Sequence, residues 1–181
     1  MIIRAAGEAD DAALAAIYGH HVLHGFGTFE EDPPSVAEMG RRRAAVAGAG
    51  LPCLLAEDAG QVLGFAYAGP FRLRAAYRYT VEDSVYIAPD AVGRGVGRAV
   101  LAEVLTACEA AGVRQVVAVI GDSGNAASIG LHRSLGFEPA GVGRGFGFKH
   151  GRWVDIVWMQ KALNGGDTRG PDAPGLSLSG A

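Results

Sequence analysis

The alternation of apolar and polar residues predicts a mixed α/β chain built around one strand–loop–helix unit. Residues 80–88 are typical of a strand, with an apolar run that starts at Val85, and residues 95–112 carry apolar side chains at helical spacing. Where the strand passes into the helix, glycines stand at every second position, at 93, 95 and 97. Glycines at the start of a helix let backbone N–H groups wrap an anion. We therefore expect an anion site at this loop, the alternative being an ordinary turn from strand to helix.

The remaining chain supplies six more strands and three more helices. Ser35 and Glu38 form a capping box at the start of the second helix. The predicted strands are 2–5, 53–57, 61–68, 115–121, 137–146 and 154–163, and the predicted helices run from Asp10 or Asp11 to near Gly25, from Ser35 to residues 48–50, and from Asn125 to Leu135. We expect residues 1–163 to form one domain, and the Gly-, Pro- and Ser-rich residues 164–181 to form a disordered tail.

Composition limits the class of protein and its partners. The 181 residues are 49% hydrophobic and 19% charged, which is typical of globular proteins. A net charge of −3 argues against a nucleic-acid or membrane partner, and the one basic cluster, at 41–43, is expected on a solvated helix face. Neither a signal peptide nor an apolar run of about 18 residues occurs, so we expect a cytoplasmic protein.

The cysteines and histidines do not form a metal-binding pattern. Cys53 and Cys108 are isolated from each other and lie in apolar segments. His20 and His24 are one helical turn apart, but neither they nor His21 have an acidic or cysteine partner at helical spacing. We therefore expect no metal.

The glycine loop does not match two common phosphate-binding patterns. A P-loop requires Lys and then Ser or Thr after its last glycine, whereas Arg98 and Ala99 follow Gly97. A dinucleotide fingerprint requires Gly-x-Gly-x-x-Gly, and neither Gly93 nor Gly95 has a glycine five positions later. The anion must therefore belong to another class of ligand.

A candidate general base precedes the loop. Alternation along the strand places Glu82, Ser84 and Tyr86 on one face and Asp83 on the other. A carboxylate in a mostly apolar strand beside a ligand is partly desolvated, which raises its pKa and makes it a better base. Alternatively, the two adjacent acids could protect a sheet edge from aggregation.

Two loops are candidates for substrate binding. Residues 69–79 contain three arginines, including Arg72 and Arg74, among three aromatic rings. Guanidinium groups match carboxylate or phosphinate oxygens in two-point geometry, although a surface loop with extended arginines is the alternative. Residues 26–34, with Phe29, are too apolar for a simple surface loop and too rich in Gly and Pro for a helix. We expect this segment to line a substrate pocket.

The last helix has a polar face. Asn125, Ser128 and His132 are spaced i, i+3, i+7, so they lie on one side. Such a face is typical of a helix that packs on the core and also touches a ligand. The alternative for His132 is a purely structural role.

These motifs resemble the GNAT acyltransferase superfamily. Its pyrophosphate loop, Gln/Arg-x-x-Gly-x-Gly/Ala, fits Gly95 and Gly97, with Val92 at the Gln/Arg position. Its pattern Asn-x-x-Ala/Ser-x-x-x-Tyr-x-x-x-Gly-Phe fits from Asn125, with His132 in place of the tyrosine. The resemblance implies the GNAT fold, a central mixed, mostly antiparallel twisted sheet of about seven strands flanked by about four helices. It also implies acetyl-CoA as cosubstrate.

Several segments resemble, more narrowly, the phosphinothricin and methionine sulfoximine N-acetyltransferase branch. They are 80–86, 118–121, 131–137 and 147–155, within a resemblance that covers residues 2–163. The resemblance implies acetyl transfer to the α-amine of a small amino-acid-like substrate and a homodimeric assembly. Glu82 is the implied base, and His132 is the implied second catalytic group, with protonation of the leaving thiolate by His132 or by water.

The site residues expected from this resemblance fall into two groups. The coenzyme contacts are Val85, Tyr86, Ile87, Gly93, Arg94, Gly95, Val96, Gly97, Arg98, Asn125 and Ser134. The substrate contacts are Phe29, Arg72, Leu73, Arg74, Tyr79 and Glu82.

Two other functions remain as alternatives. One is acetylation of another amine, such as a protein N-terminus or an aminoglycoside, although Arg72 and Arg74 favour an anionic acceptor. The other is a non-catalytic acyl-CoA sensor, against which the presence of both Glu82 and His132 argues.

Overall fold

The computed structural model describes residues 1–178, which contain seven strands and four α-helices. The strands are β1 Ile2–Ala5, β2 Cys53–Asp58, β3 Gln61–Pro70, β4 Thr80–Ile87, β5 Gln115–Gly121, β6 Glu138–Lys149 and β7 Arg152–Ala162. The helices are α1 Asp11–His24, α2 Val36–Gly48, α3 Val96–Ala110 and α4 Ala126–Ser134. Among the described residues, no helix is long and apolar enough to span a membrane.

These elements confirm the pattern predicted from the sequence, with a longer final hairpin. The predicted strands 137–146 and 154–163 extend toward each other until only two residues join them. His150 and Gly151 form that turn with φ values of 49° and 76°. Paired positive φ angles match the twist of a tight hairpin, so the strands can remain paired up to the turn.

The seven strands form one mixed, mostly antiparallel sheet. Their order is β1-β2-β3-β4-β5-β7-β6, and β4 with β5 is the parallel pair. This arrangement confirms the predicted fold class. Because β4 lies between β3 and β5, Glu82 and Asp83 stand in the middle of the sheet. The alternative that these acids protect a sheet edge is therefore wrong.

Each face of the sheet is covered by a separate apolar core. The core on one face includes residues of α1 and α2 and contains Tyr86. The core on the other face includes residues of α3, and Val85 packs against it. Since side chains alternate along a strand, Glu82 shares the face of Tyr86, and Asp83 shares the face of Val85. The two neighbouring carboxylates thus point to opposite sides of the molecule.

The C-terminal residues 164–178 pack onto the α3 side of the fold. Leu176 is buried there, and its N–H donates to the carbonyl of Arg78 at 2.8 Å. The Tyr79 hydroxyl donates to the carbonyl of Ala173 at 2.8 Å. The structure places residues 164–178 against the fold where the sequence predicted a disordered tail, and backbone hydrogen bonds and the side chains of Leu176 and Leu178 hold this segment of low hydrophobicity. Residues 179–181 lie outside the described part of the chain.

Candidate active site

The sheet splits where β4 and β5 diverge. The two strands pair only from Thr80 to Asp83 and from Gln115 to Ala118. Beyond these residues the side of β4 that faces β5 has no strand partner, so its backbone polar groups can bond a ligand. A cavity of about 50 Å³ opens there, lined by both strands and by α4.

A larger groove begins at the split and runs to the start of α3. Its volume is about 570 Å³, and we call it the coenzyme groove. The predicted coenzyme residues that line it are Val85, Ile87, Gly93, Gly95, Val96, Gly97, Arg98, Asn125 and Ser134. Tyr86 instead lines the cavity at the split. The Arg94 guanidinium lies 3.9 Å from the Asp58 carboxylate, and Arg94 does not line the groove.

The glycine loop of this groove fits an anionic group such as a pyrophosphate. Gly93 and Gly95 have φ values of 79° and 77°, a left-handed backbone that other residues rarely adopt. Gly95 is the N-cap of α3, so the unpaired N–H groups and the positive end of the helix dipole face the groove. A Cβ on Gly97 would lie 3.2 Å from the Leu131 side chain, a tight contact that glycine avoids where α3 and α4 approach each other.

A second cavity, of about 310 Å³, lies on the α1 side of the sheet and is called here the acceptor cavity. Its lining residues are Tyr18, Phe26, Gly27, Thr28, Phe29, Tyr67, Glu82, Ser84, Tyr86, Val119, Gly121 and Ile156. The cavity at the split shares Ser84 and Tyr86 with the acceptor cavity, and Val85 and Ser128 with the coenzyme groove. The split is therefore the point at which two ligands on opposite faces can meet.

Glu82 carries the free carboxylate of the acceptor cavity. Burial raises the pKa of Glu82, the neighbouring charge of Asp83 raises it further, and the charge of Arg72 opposes both. Within residues 1–178 its carboxylate accepts no hydrogen bond. A partly desolvated carboxylate with free lone pairs can accept a proton from a bound ammonium group.

His132 is buried on the other face of β4 and has both ring nitrogens engaged. Nδ1 lies 2.7 Å from the carbonyl oxygen of Ser128, and Nε2 lies 3.0 Å from Oδ2 of Asp83. Burial disfavours the charged ring, but the hydrogen bond and charge of Asp83 and the Ser128 carbonyl together raise the pKa of His132. Because Glu82 faces the opposite side of the sheet, the structure does not bring the two predicted catalytic side chains together.

The predicted substrate residues separate into two sets. Phe29 and Glu82 line the acceptor cavity. Arg72, Leu73 and Arg74 are exposed on the loop before β4, and none of them lines that cavity. Arg72 nevertheless lies close enough for its charge to lower the pKa of Glu82. The Tyr79 hydroxyl turns away and bonds the C-terminal segment.

Two residues of α1, Tyr18 and His21, contribute to the site and were not among the predicted site residues. The Tyr18 hydroxyl lies 2.9 Å from both Thr28 Oγ1 and Glu30 Oε1, and burial raises the pKa of Tyr18 to about 12. His21 Nε2 lies 2.8 Å from the carbonyl oxygen of Ile87, at the end of β4 beside the coenzyme groove. Their three-residue spacing was the signal that they share one face.

The loop that bears Phe29 is fixed by the last hairpin. Gly147 of β6 has no side chain, and the Phe29 ring occupies the space that a Cβ would need. The buried Lys149 donates from Nζ to the carbonyl oxygen of Thr28 at 2.8 Å. Burial lowers the pKa of Lys149, and the charges of Glu31 and Glu30 oppose this effect. These long-range contacts left no signal in the local sequence.

The histidines of α1 are not arranged as a metal site. The rings of His20 and His24 are 4.7 Å apart, while His21 bonds the backbone of β4. In the part of the chain that the structure describes, no group of three or more His, Cys, Asp or Glu side chains could hold a metal ion.

The chain and its fold match proteins of a known family. Residues 16–137 match the acetyltransferase (GNAT) family. The chain is 54% identical over 170 residues to a phosphinothricin N-acetyltransferase of Alcaligenes faecalis, covering 94% of this chain and 86% of that one. It is 43% identical to an L-methionine sulfoximine/L-methionine sulfone acetyltransferase of Pseudomonas paraeruginosa, covering 90% and 94%.

A solved structure gives the same result. The chain superposes on a GNAT superfamily phosphinothricin acetyltransferase from Sinorhizobium meliloti, solved in complex with AcCoA, with a TM-score of 0.91. The sequence identity is 47%, and the match covers 94% of this chain and 92% of that one. The glycine loop that lines the coenzyme groove suits the same cosubstrate. The chain therefore belongs to the acetyltransferase (GNAT) family and is an acetyl-CoA-dependent N-acetyltransferase.

Proposed function

We propose that this enzyme acetylates the α-amine of a small, anionic, amino-acid-like acceptor such as phosphinothricin or methionine sulfoximine. The observation that carries the proposal is the position of Glu82. Its desolvated, unbonded carboxylate lies in a cavity that meets the coenzyme groove at the split between β4 and β5. The names of the two curated relatives support the same class of acceptor.

In the proposed reaction, Glu82 removes a proton from the acceptor ammonium group, directly or through a water molecule. The rings of Tyr18, Phe29 and Tyr67 surround the amine and limit its contact with water. Acetyl-CoA supplies a thioester whose thiol has a reference pKa of about 8.5 and therefore leaves readily. A backbone N–H of β4 near Tyr86 or Ile87 polarises the thioester carbonyl, since this part of the strand is unpaired on its β5 side.

We assign protonation of the thiolate to water or His132. His132 already donates to the Ser128 carbonyl and to Asp83, so it would have to break one of these bonds to deliver a proton. The geometry therefore favours water, and leaves His132 as the charge partner of Asp83 beneath the split.

Arg72 and Arg74 are proposed to bind the anionic end of the acceptor. Every ion pair in the described part of the chain is formed by other residues, so both guanidinium groups remain free for a ligand. Planar guanidinium groups bind carboxylate and phosphinate oxygens through paired N–H donors. This free positive charge favours an amino-acid-like acceptor over a cationic aminoglycoside.

We further propose a cytoplasmic homodimer. The hairpin of β6 and β7 exposes Phe146, Phe148 and Trp153, with 60%, 58% and 68% of their surfaces accessible. Aromatic residues clustered on one exposed hairpin are typical of a protein–protein contact. A sedimentation-equilibrium mass of one chain would contradict the dimer.

The function is tested by thiol release from acetyl-CoA with five acceptors: L-phosphinothricin, L-methionine sulfoximine, L-methionine sulfone, an aminoglycoside and an alanine-terminated peptide. We expect turnover with the three amino-acid analogues only. Glu82→Gln should lower kcat by about 10² to 10⁴ while acetyl-CoA affinity stays unchanged. Glu103→Gln, on an exposed position of α3, is the matched control. Turnover of the peptide or aminoglycoside alone, or unchanged kcat in Glu82→Gln, would contradict the proposal.

A further inference from the structure

The loop that carries the two free arginines has little structure of its own. We call residues 71–79 the arginine loop. Its middle is exposed, and its regular structure is limited to one 3₁₀ turn, Ala75–Tyr77. At the start of the loop, the N–H of Phe71 donates to the carbonyl of Thr80 at 3.2 Å. The position of the arginines must therefore depend on how the other end of the loop is held.

The C-terminal segment contacts that end, where the backbone N–H groups of Arg114 and Gln115 also donate to the Tyr79 carbonyl. Residues 164–178, which we call the strap, run alongside Arg78 and Tyr79. The Leu176 N–H donates to the Arg78 carbonyl at 2.8 Å, and the Tyr79 hydroxyl donates to the Ala173 carbonyl at 2.8 Å. Gly175 has a φ of 76°, and a Cβ there would lie 2.7 Å from the Tyr79 ring. The fit is so close that only glycine is accommodated at this point.

The strap is itself tied to the fold by a buried arginine. Arg114 is 5% exposed, and its side chain donates to the carbonyls of Gly166 and Arg169 at 2.9 Å each. The backbone N–H of the same residue donates to the Tyr79 carbonyl at 2.9 Å. A buried guanidinium is costly unless it is bonded, so these bonds keep the strap in place. Arg114 thus connects the strap and the end of the arginine loop.

We propose that the strap is a positioning element of the acceptor site. It fixes the arginine loop at Arg78 and Tyr79 and thereby holds Arg72 and Arg74 in the place where they bind the anionic end of the acceptor. No strap residue lines the coenzyme groove. The strap therefore controls acceptor affinity and leaves acetyl-CoA affinity unchanged. This inference rests on the proposed function of the same site.

The first test releases the strap and measures exchange of backbone amides. Leu176→Ser removes the buried apolar anchor, and Leu176→Met is the matched control that keeps it. In the protein without ligands, hydrogen exchange across residues 71–79 should accelerate in Leu176→Ser and stay at the wild-type rate in Leu176→Met. Faster exchange confined to residues 164–178 would overturn the proposal, since the strap would then open without moving the loop.

The second test separates positioning from general stability by kinetics. In Leu176→Ser, the KM for L-phosphinothricin should rise about tenfold, because two long side chains must be ordered on binding. The kcat and the KM for acetyl-CoA should stay within about twofold of wild type, and Leu176→Met should restore the acceptor KM. An equal rise in the KM for L-phosphinothricin and in the KM for acetyl-CoA would overturn the proposal. An unchanged KM for L-phosphinothricin would also overturn it. If the wild-type chain acetylates no amino-acid acceptor, the proposed function fails, and the exchange data alone decide whether the strap holds the loop.

Discussion

The Nε2 atom of His132 lies 3.0 Å from Oδ2 of Asp83, and this bond joins helix α4 to the central strand β4. Both side chains are almost completely buried, with 4% and 1% of their surfaces exposed. Oδ1 of Asp83 has no hydrogen-bond partner within residues 1–178. His132 is therefore the residue that compensates the negative charge of Asp83. The pair lies beneath the split, where the two ligand sites meet.

The stability of the fold should depend on pH through this pair. Burial lowers the pKa of His132, but the bonds to Asp83 and Ser128 outweigh this effect. The pKa is therefore raised in the folded protein. A raised folded pKa gives stability that is fully present below the unfolded pKa of about 6.5 and is lost as pH rises through the folded pKa. Urea unfolding across this range should show the loss in wild type. A His132→Gln variant should lack that component, and an NMR titration of His132 with a pKa below about 6.5 would contradict the assignment.

Replacing the carboxylate should destabilise the protein below about pH 6.5, where the His132 ring is charged. Asp83→Asn removes the charge that balances a buried imidazolium, and breaking a buried pair costs about 3 to 5 kcal/mol. The free energy of unfolding should fall by that order in urea titrations. Asp90→Asn is the control, because Asp90 is exposed and accepts one hydrogen bond from Gln61. Equal stability of the two variants would show that the His132 bond contributes little.

Catalysis should respond to pH through Glu82. A base works only when deprotonated, so kcat/KM falls as pH drops through its pKa. Burial and the charge of Asp83 raise that pKa above the ordinary value of 4.5, so activity is lost at a higher pH than for an exposed glutamate. Because Arg72 lowers the same pKa, Arg72→Gln should move the acidic limb to still higher pH. Arg74→Gln should weaken acceptor binding without moving this limb, and a shift in both variants would argue against a specific effect of Arg72.

Local patterns predicted the elements and the orientation of Glu82, because both depend on neighbours within a few residues. Alternation along β4 was sufficient to separate Glu82 from Asp83. The pairing of Asp83 with His132, 49 residues away, required the folded sheet and helix. His132 was accordingly predicted on the ligand face of α4, but its two bonds, to Asp83 and to the Ser128 carbonyl, were not predicted.

The C-terminal segment is a case in which residue composition did not predict the structure. Residues 164–178 have few apolar side chains, so their composition predicts disorder. Their order comes from carbonyls that bond Arg114 and Tyr79, and from the burial of Leu176. A backbone carbonyl carries no sequence signature, which is why this docking could not be predicted from residue types.

Placing a charged side chain at residue 92 tests whether this position contributes to acetyl-CoA binding. This residue stands where the family pattern has Gln or Arg, lines the coenzyme groove and is 64% exposed. Val92→Arg should tighten acetyl-CoA binding about two- to fivefold at low ionic strength, as an exposed ion pair contributes at most about 1 kcal/mol. Val92→Glu should weaken it, and salt should reduce both effects. Titration calorimetry with equal affinities for the two variants would show that residue 92 does not approach the phosphates.

The close contact between Gly147 and Phe29 should control the shape of the acceptor cavity. A methyl group at residue 147 would overlap the Phe29 ring, so Gly147→Ala must displace the ring. Phe29 lines the acceptor cavity and does not line the coenzyme groove. We therefore expect the KM for L-phosphinothricin to change about threefold or more, with an unchanged acetyl-CoA dissociation constant. Gly141→Ala is the matched control on the same strand, because a Cβ there would make an ordinary 3.7 Å contact with Trp158. If both variants change the acceptor KM equally, the effect comes from strand β6 as a whole, and Phe29 does not shape the site.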